Sequence, residues 1–65
     1  MVAELPHIAA DGRYSQKQAA QLLGVHRNTL AAASAAGHIK FGIRRSNMRK
    51  FYLGSEIVRF WRSQL

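Results

Sequence analysis

Eight cationic side chains, Arg13, Lys17, Arg27, Lys40, Arg44, Arg45, Arg49 and Lys50, fall in the stretch from Gly12 to Ser55, which holds no acidic residue. Four of them crowd around Asn47 in the run Arg44-Arg-Ser-Asn-Met-Arg-Lys50. Guanidinium and ammonium groups with no carboxylate among them are donors left for an external anion, and phosphate suits the planar fork of arginine. Cations at a loop tip also serve to keep strands from pairing, but four together exceed that need. The chain of 65 residues carries a formal charge of +7. Such a field draws nucleic-acid phosphates and, less selectively, acidic membranes.

A second group, His26-Arg27-Asn28-Thr29, carries the chemistry of base-edge reading. Arginine can fork onto guanine and asparagine onto adenine, with Thr29 suited to a phosphate or to capping. Ser15, Gln16 and Lys17 form a third group, where the start of a helix would offer amides to an anion. Other chemistries find less support. The chain has no cysteine, and His7, His26 and His38 show no metal-ligand spacing, so no metal site or cofactor is implied. No serine has a matching histidine and acid, and Asp11 and Glu56 stand far apart in the sequence. An enzyme is the least favoured class.

These groups need elements to position them. Residues Met1–Arg13, with Pro6 and an Asp11-Gly12 turn, read as a mostly irregular arm. From Tyr14 the pattern changes: Ser15 and Gln18 have the spacing of a capping box. Ala19, Ala20, Leu22 and Leu23 then give an inward stripe, and Gly24 ends the first helix. Val25 opens a turn, and a second helix runs from His26 or Arg27 through an alanine-rich stretch to Gly37. Leu30 and Ala33 face inward on it, with His26, Arg27, Asn28, Ala31 and Ala32 outward. A small residue at Ala20, glycine at Gly24 and a branched residue at Leu30 are what two short helices crossing at a tight turn require.

From Ile39 the period drops to two, with Ile39, Phe41 and Ile43 alternating against Lys40, Gly42 and Arg44. Lys50–Leu53 supplies a partner strand, so the two are expected to pair as a hairpin turning at Ser46-Asn47. Tyr52 lies opposite Phe51 and Leu53 and is the aromatic placed to approach a ligand. Ser55 reads as the cap of a final helix, with Glu56 in its first turn. Ile57, Phe60, Trp61 and Leu65 make its apolar face, with Val58 at the edge and Arg59 and Arg62 away from it. Phe41, Phe51, Phe60 and Trp61 are expected to form much of the core.

Helix, turn, helix, two-stranded hairpin and closing helix describe a winged helix-turn-helix over residues 14–65, mainly α with a small β-hairpin. In such a fold the second helix enters the major groove of duplex DNA, while the hairpin meets the backbone or the minor groove. The segment from Tyr14 to Trp61 resembles the excisionase-like and MerR-like family of small winged-helix DNA-binding domains. The resemblance rests on Tyr14-Ser15, Ala19-Ala20, Leu23-Gly24-Val25, His26 to Thr29, Gly37-His38-Ile39, Arg44 to Arg49 and Ser55 to Trp61 occurring in that order. The chain is also similar to the N-terminal domain of phage terminase small subunits. One departure is the run Leu30-Ala-Ala-Ala-Ser-Ala-Ala36, where the family often has aromatic and basic residues.

The expected DNA contacts are Ser15, Gln16, Lys17, His26, Arg27, Asn28, Thr29, Arg44, Arg45, Asn47, Arg49 and Lys50. The resemblance implies double-stranded DNA as the partner, with further copies on adjacent sites or an integrase beside it. Recombination of a phage or mobile-element site and transcription regulation use the same contacts and stay open as alternatives. So do DNA packaging and a basic module docking an acidic protein. No apolar run approaches the roughly 20 residues of a membrane span, and a cytoplasmic location is expected.

Overall fold

The computed structural model describes residues 1–64; Leu65, expected on the apolar face of the last helix, lies outside the described residues. Strand β1 (Arg13–Ser15) leads into helix α1 (Gln16–Leu23), followed by α2 (Arg27–Ala35), β2 (Gly42–Ile43), β3 (Lys50–Leu53) and α3 (Gly54–Ser63). The strands form one antiparallel sheet in the order β1-β3-β2. The architecture is therefore three helices on a three-stranded sheet, a mixed α/β arrangement rather than a mainly helical one with a lone hairpin. The added strand is Arg13-Tyr14-Ser15, which pairs with β3 in the register Arg13 to Leu53, Tyr14 to Tyr52 and Ser15 to Phe51. Three residues are too few to show a period, which is why the sequence hid it. No helix among the described residues is long and apolar enough to cross a membrane.

Local signals fix α1. The Ser15 hydroxyl accepts from the Gln18 amide at 3.1 Å, and the Gln18 side-chain oxygen accepts from the Ser15 amide at 3.0 Å, the reciprocal bonds of a capping box. Ala19, Ala20 and Leu23 are buried. Gly24 then adopts the left-handed conformation, φ 71°, which closes the helix and lets the chain turn into α2. The cap of α2 is His26, whose Nδ1 accepts from the Asn28 amide at 3.1 Å.

The core is built from Ala19, Ala20, Leu23, Leu30, Ile39, Tyr52, Ile57 and Phe60. This corrects the expected aromatic core: only Phe60 of the four is buried, Phe51 and Trp61 are half-buried, and Phe41 is 40% exposed. The sheet has turned its faces the other way. Tyr52, expected to approach a ligand, is fully buried, whereas Leu53 and Ile43 are exposed. The physical reason lies in α2. Ser34 is buried and donates its one hydroxyl proton to the Leu30 carbonyl at 3.0 Å, so it accepts from the Tyr52 hydroxyl at 2.6 Å. With that partner a tyrosine can enter the core without stranding its oxygen, and Leu53 and Ile43 are left exposed.

The hydroxyl pair ties α2 to β3 and should be measurable. Tyr52→Phe keeps the ring and removes one hydrogen bond, leaving Ser34 bonded to Leu30. A loss of about 1 kcal/mol is expected, which for a domain of this size is about 4–8 °C in a thermal melt. An unchanged melting temperature would show that the pair contributes nothing.

The N-terminal residues pack on this body. Leu5 and Ile8 lie against the core, the Val2 amide donates to the Leu23 carbonyl at 2.8 Å, and the Trp61 indole donates to the Val2 carbonyl at 3.0 Å. The same segment corrects the expected cap of α3. That helix begins at Gly54, and its cap position, Leu53, makes no side-chain bond. Instead the Gly54 amide donates to the Gly12 carbonyl at 2.9 Å and the Ser55 amide to the Ala10 carbonyl at 3.0 Å. Main-chain carbonyls of the arm do the work expected of the Ser55 hydroxyl.

Candidate nucleic-acid interface

Two helix starts and the β2–β3 hairpin converge on one side of the molecule. The Gln16 side-chain amide donates to the Arg27 carbonyl at 3.3 Å, which holds the beginning of α1 against the beginning of α2. Ser15, Gln16 and Lys17 from the first, Arg27 and Asn28 from the second, and Arg49 and Lys50 from the hairpin line a shared depression. A second depression adjoins it, since it too is lined by Ser15, Arg49 and Lys50, and it adds Gln18, Arg44 and Asn47. Nine of the twelve expected contact residues therefore share one continuous surface, and none of its lining residues is acidic.

The groups on this surface have hydrogen-bonding capacity left. The Ser15 hydroxyl spends its acceptor on Gln18 and keeps a proton to donate. Because Nδ1 of His26 accepts a backbone bond, the neutral ring carries its proton on Nε2, and that face of the exposed side chain is a donor. Asn47 uses its side-chain oxygen to accept from the Arg49 amide at 3.0 Å, so its amide protons are what it can present. That bond also shapes the loop. With the Met48 amide donating to the Arg44 carbonyl at 2.7 Å and Met48 itself at φ 56°, a non-glycine residue takes the left-handed position of the loop.

The remaining three expected residues sit elsewhere. His26 lines a neighbouring depression with Lys17 and Arg27. Arg45 lines a separate depression, with Arg13, Ile43, Ser46 and Phe51. Thr29 is exposed on α2 and lines none of these depressions. Sequence reasoning missed Gln18 as a lining residue of this surface, because its capping role hid it.

The cations of the interface are not neutralised from within. Among the described residues the one ion pair is Arg59 to Glu56 on α3, at 2.8 Å. The hydrogen bond from the Arg59 guanidinium holds the Glu56 carboxyl below the usual carboxylate range, against a weaker opposing effect of burial, with Lys40 adding to the attraction. With Arg59 exposed and the two residues one turn apart, that pair contributes little to stability. No group of three His, Cys, Asp or Glu side chains that could hold a metal ion occurs among the described residues.

Comparison with protein-family models, with curated proteins and with solved structures gives no match, so the interface is read from its own residues.

Proposed function

We propose that this chain is a duplex-DNA-binding protein of winged helix-turn-helix build, acting by binding and not by catalysis. In this reading α2 enters the major groove by its first turn, with Arg27 and Asn28 at base edges. The starts of both helices and the β2–β3 wing hold the phosphate backbone. The observation that carries the reading is the convergence of three separate chain segments into one cationic surface without an acid. A merely solvated basic surface has no need for helix starts to be tied together, as Gln16 ties α1 to Arg27.

The exposed side of α2 beyond Thr29 is alanine, which offers a base little beyond contact with a thymine methyl. Sequence discrimination therefore falls on the first turn and on DNA shape. A modest preference per copy suits a protein placed in several copies on adjacent sites, either at a recombination site or at a promoter.

The test is a fluorescence-anisotropy titration of random and of selected duplexes over a salt series. Steep weakening with salt on both is expected. Binding that is absent at low salt would refute the reading, and capture of an acidic protein in its place would favour the interaction-module alternative. On a selected site Arg27→Ala is expected to cost about 1–3 kcal/mol, and less on random DNA. Equal losses on the two would remove Arg27 from base reading and leave it a phosphate contact.

A further inference from the structure

Beside the nucleic-acid interface the hairpin has a second cluster, which shares Arg44 with that interface and otherwise lies outside it. Arg13 on β1 and Phe51 on β3 are diagonal neighbours in the sheet register, and the Arg13 guanidinium carbon lies 5.0 Å from the centroid of the Phe51 ring. Phe51 is half-buried, and its ring covers Gly42, where a Cβ atom would collide with it. The ring is thus held from below and forms a shelf for the guanidinium, a cation–π contact that fixes an otherwise mobile side chain. Arg44, Arg45 and Ser46 complete a notch with Arg13, Ile43 and Phe51. None of its three arginines meets a carboxylate among the described residues.

We infer that this notch is a second phosphate-binding site, in which Arg13, Arg44 and Arg45 take a backbone phosphate of the same duplex after it passes the wing. The inference rests on the DNA-binding reading and extends it to Arg13 and to the depression that Arg13 lines. Two observations select a phosphate of that duplex. Arg44 lines both this notch and the depression shared with Arg49 and Lys50, so the two surfaces are continuous around the loop. Three guanidiniums and the Ser46 hydroxyl offer only donors and a hydroxyl, which matches an oxyanion with several acceptor oxygens. Arg13 is preorganised on its shelf, so less rotamer freedom is lost when the anion arrives.

The experiment is a salt series with Arg13→Ala on random duplex, beside wild type and Arg49→Ala. Removing one phosphate contact lowers the slope of log affinity against log salt by about 0.9, so the wild-type advantage grows about eightfold for each tenfold dilution of salt. A packing role for Arg13 would lower the melting temperature and leave that slope alone. Should Arg13→Ala fail to fold, Arg45→Ala, on the exposed loop and outside the sheet, carries the same expected drop in slope. A folded Arg13→Ala protein with the wild-type slope, beside an Arg49→Ala protein with a reduced one, overturns the notch while sparing the DNA-binding reading. It would leave the notch to an acidic segment of a protein. Wild-type protein that binds no duplex takes both down.

Discussion

Replacing Arg44, Arg45 and Arg49 together by alanine is expected to weaken binding to every duplex by the same factor and to lower the salt slope by about 2.7, at about 0.9 for each cation withdrawn from the phosphate backbone. The wild-type advantage then grows about 500-fold for each tenfold dilution of salt. Sequence preference should survive, because base reading belongs to α2 and these side chains meet only the backbone in the proposed pose. The fold does not depend on the three side chains, so a change in binding can be ascribed to the interface. The loop is closed by main-chain bonds, Arg44 amide to Arg49 carbonyl and Met48 amide to Arg44 carbonyl, and by the Asn47 side chain. All three arginines are exposed, and none has a carboxylate partner among the described residues. Removing like charges spaced within a Debye length, about 10 Å at 0.1 M salt, relieves repulsion. The variant should therefore melt no lower than wild type in dilute buffer. A triple variant that keeps both its fold and its slope would exclude the wing from the interface.

How far the sequence speaks for the structure depends on the range of each signal. The capping box of Ser15 and Gln18 and the left-handed Gly24 are decided within one helical turn, and both appear where the spacing put them. The interface inherits that legibility, since Ser15, Gln16, Lys17, Arg27 and Asn28 are attached to helix starts. The strands are a different matter. Alternation in Lys50-Phe-Tyr-Leu53 admits two inside faces, and a hydrophobicity scale prefers phenylalanine and leucine over tyrosine. The choice is made by Ser34, eighteen positions away, whose hydroxyl gives Tyr52 a buried partner. Arg45 shows the same limit. Its charge was plain, but which depression it lines depends on how the loop closes, through Asn47 and the left-handed Met48. The cap of α3 was beyond any side-chain signal, because the groups that supply it are carbonyls of Ala10 and Gly12.

That cap makes Gly54 a position where a small substitution has a large expected effect on stability. By helix propensity alone Gly54→Ala should stabilise α3 by up to about 1 kcal/mol. Geometry opposes this. A Cβ atom at Gly54 would sit inside the envelope of the Ala9 carbonyl oxygen and 2.8 Å from the Ile8 side chain. The nearest of these obstacles is backbone, so the arm must move as a unit. Moving it stretches the two bonds that cap α3 and disturbs Ile8 against the core. Overpacking costs about 1–3 kcal/mol and each of the two cap bonds, if broken, about 1 kcal/mol, so a net loss of about 3 kcal/mol is expected after the propensity gain. In a domain of this size that is about 12–24 °C. Trp61 supplies an internal reporter, since its indole donates to Val2 of the same arm; its emission should shift to the red as the bond opens to water. Ser55→Ala provides the contrast. If the hydroxyl were the cap, its removal would cost about 1 kcal/mol, whereas a main-chain cap predicts a change within about 0.5 kcal/mol, as for other surface substitutions. A Gly54→Ala protein as stable as wild type, or a Ser55→Ala protein that is not, would return the cap of α3 to the side chain and leave the arm no part in how this helix begins.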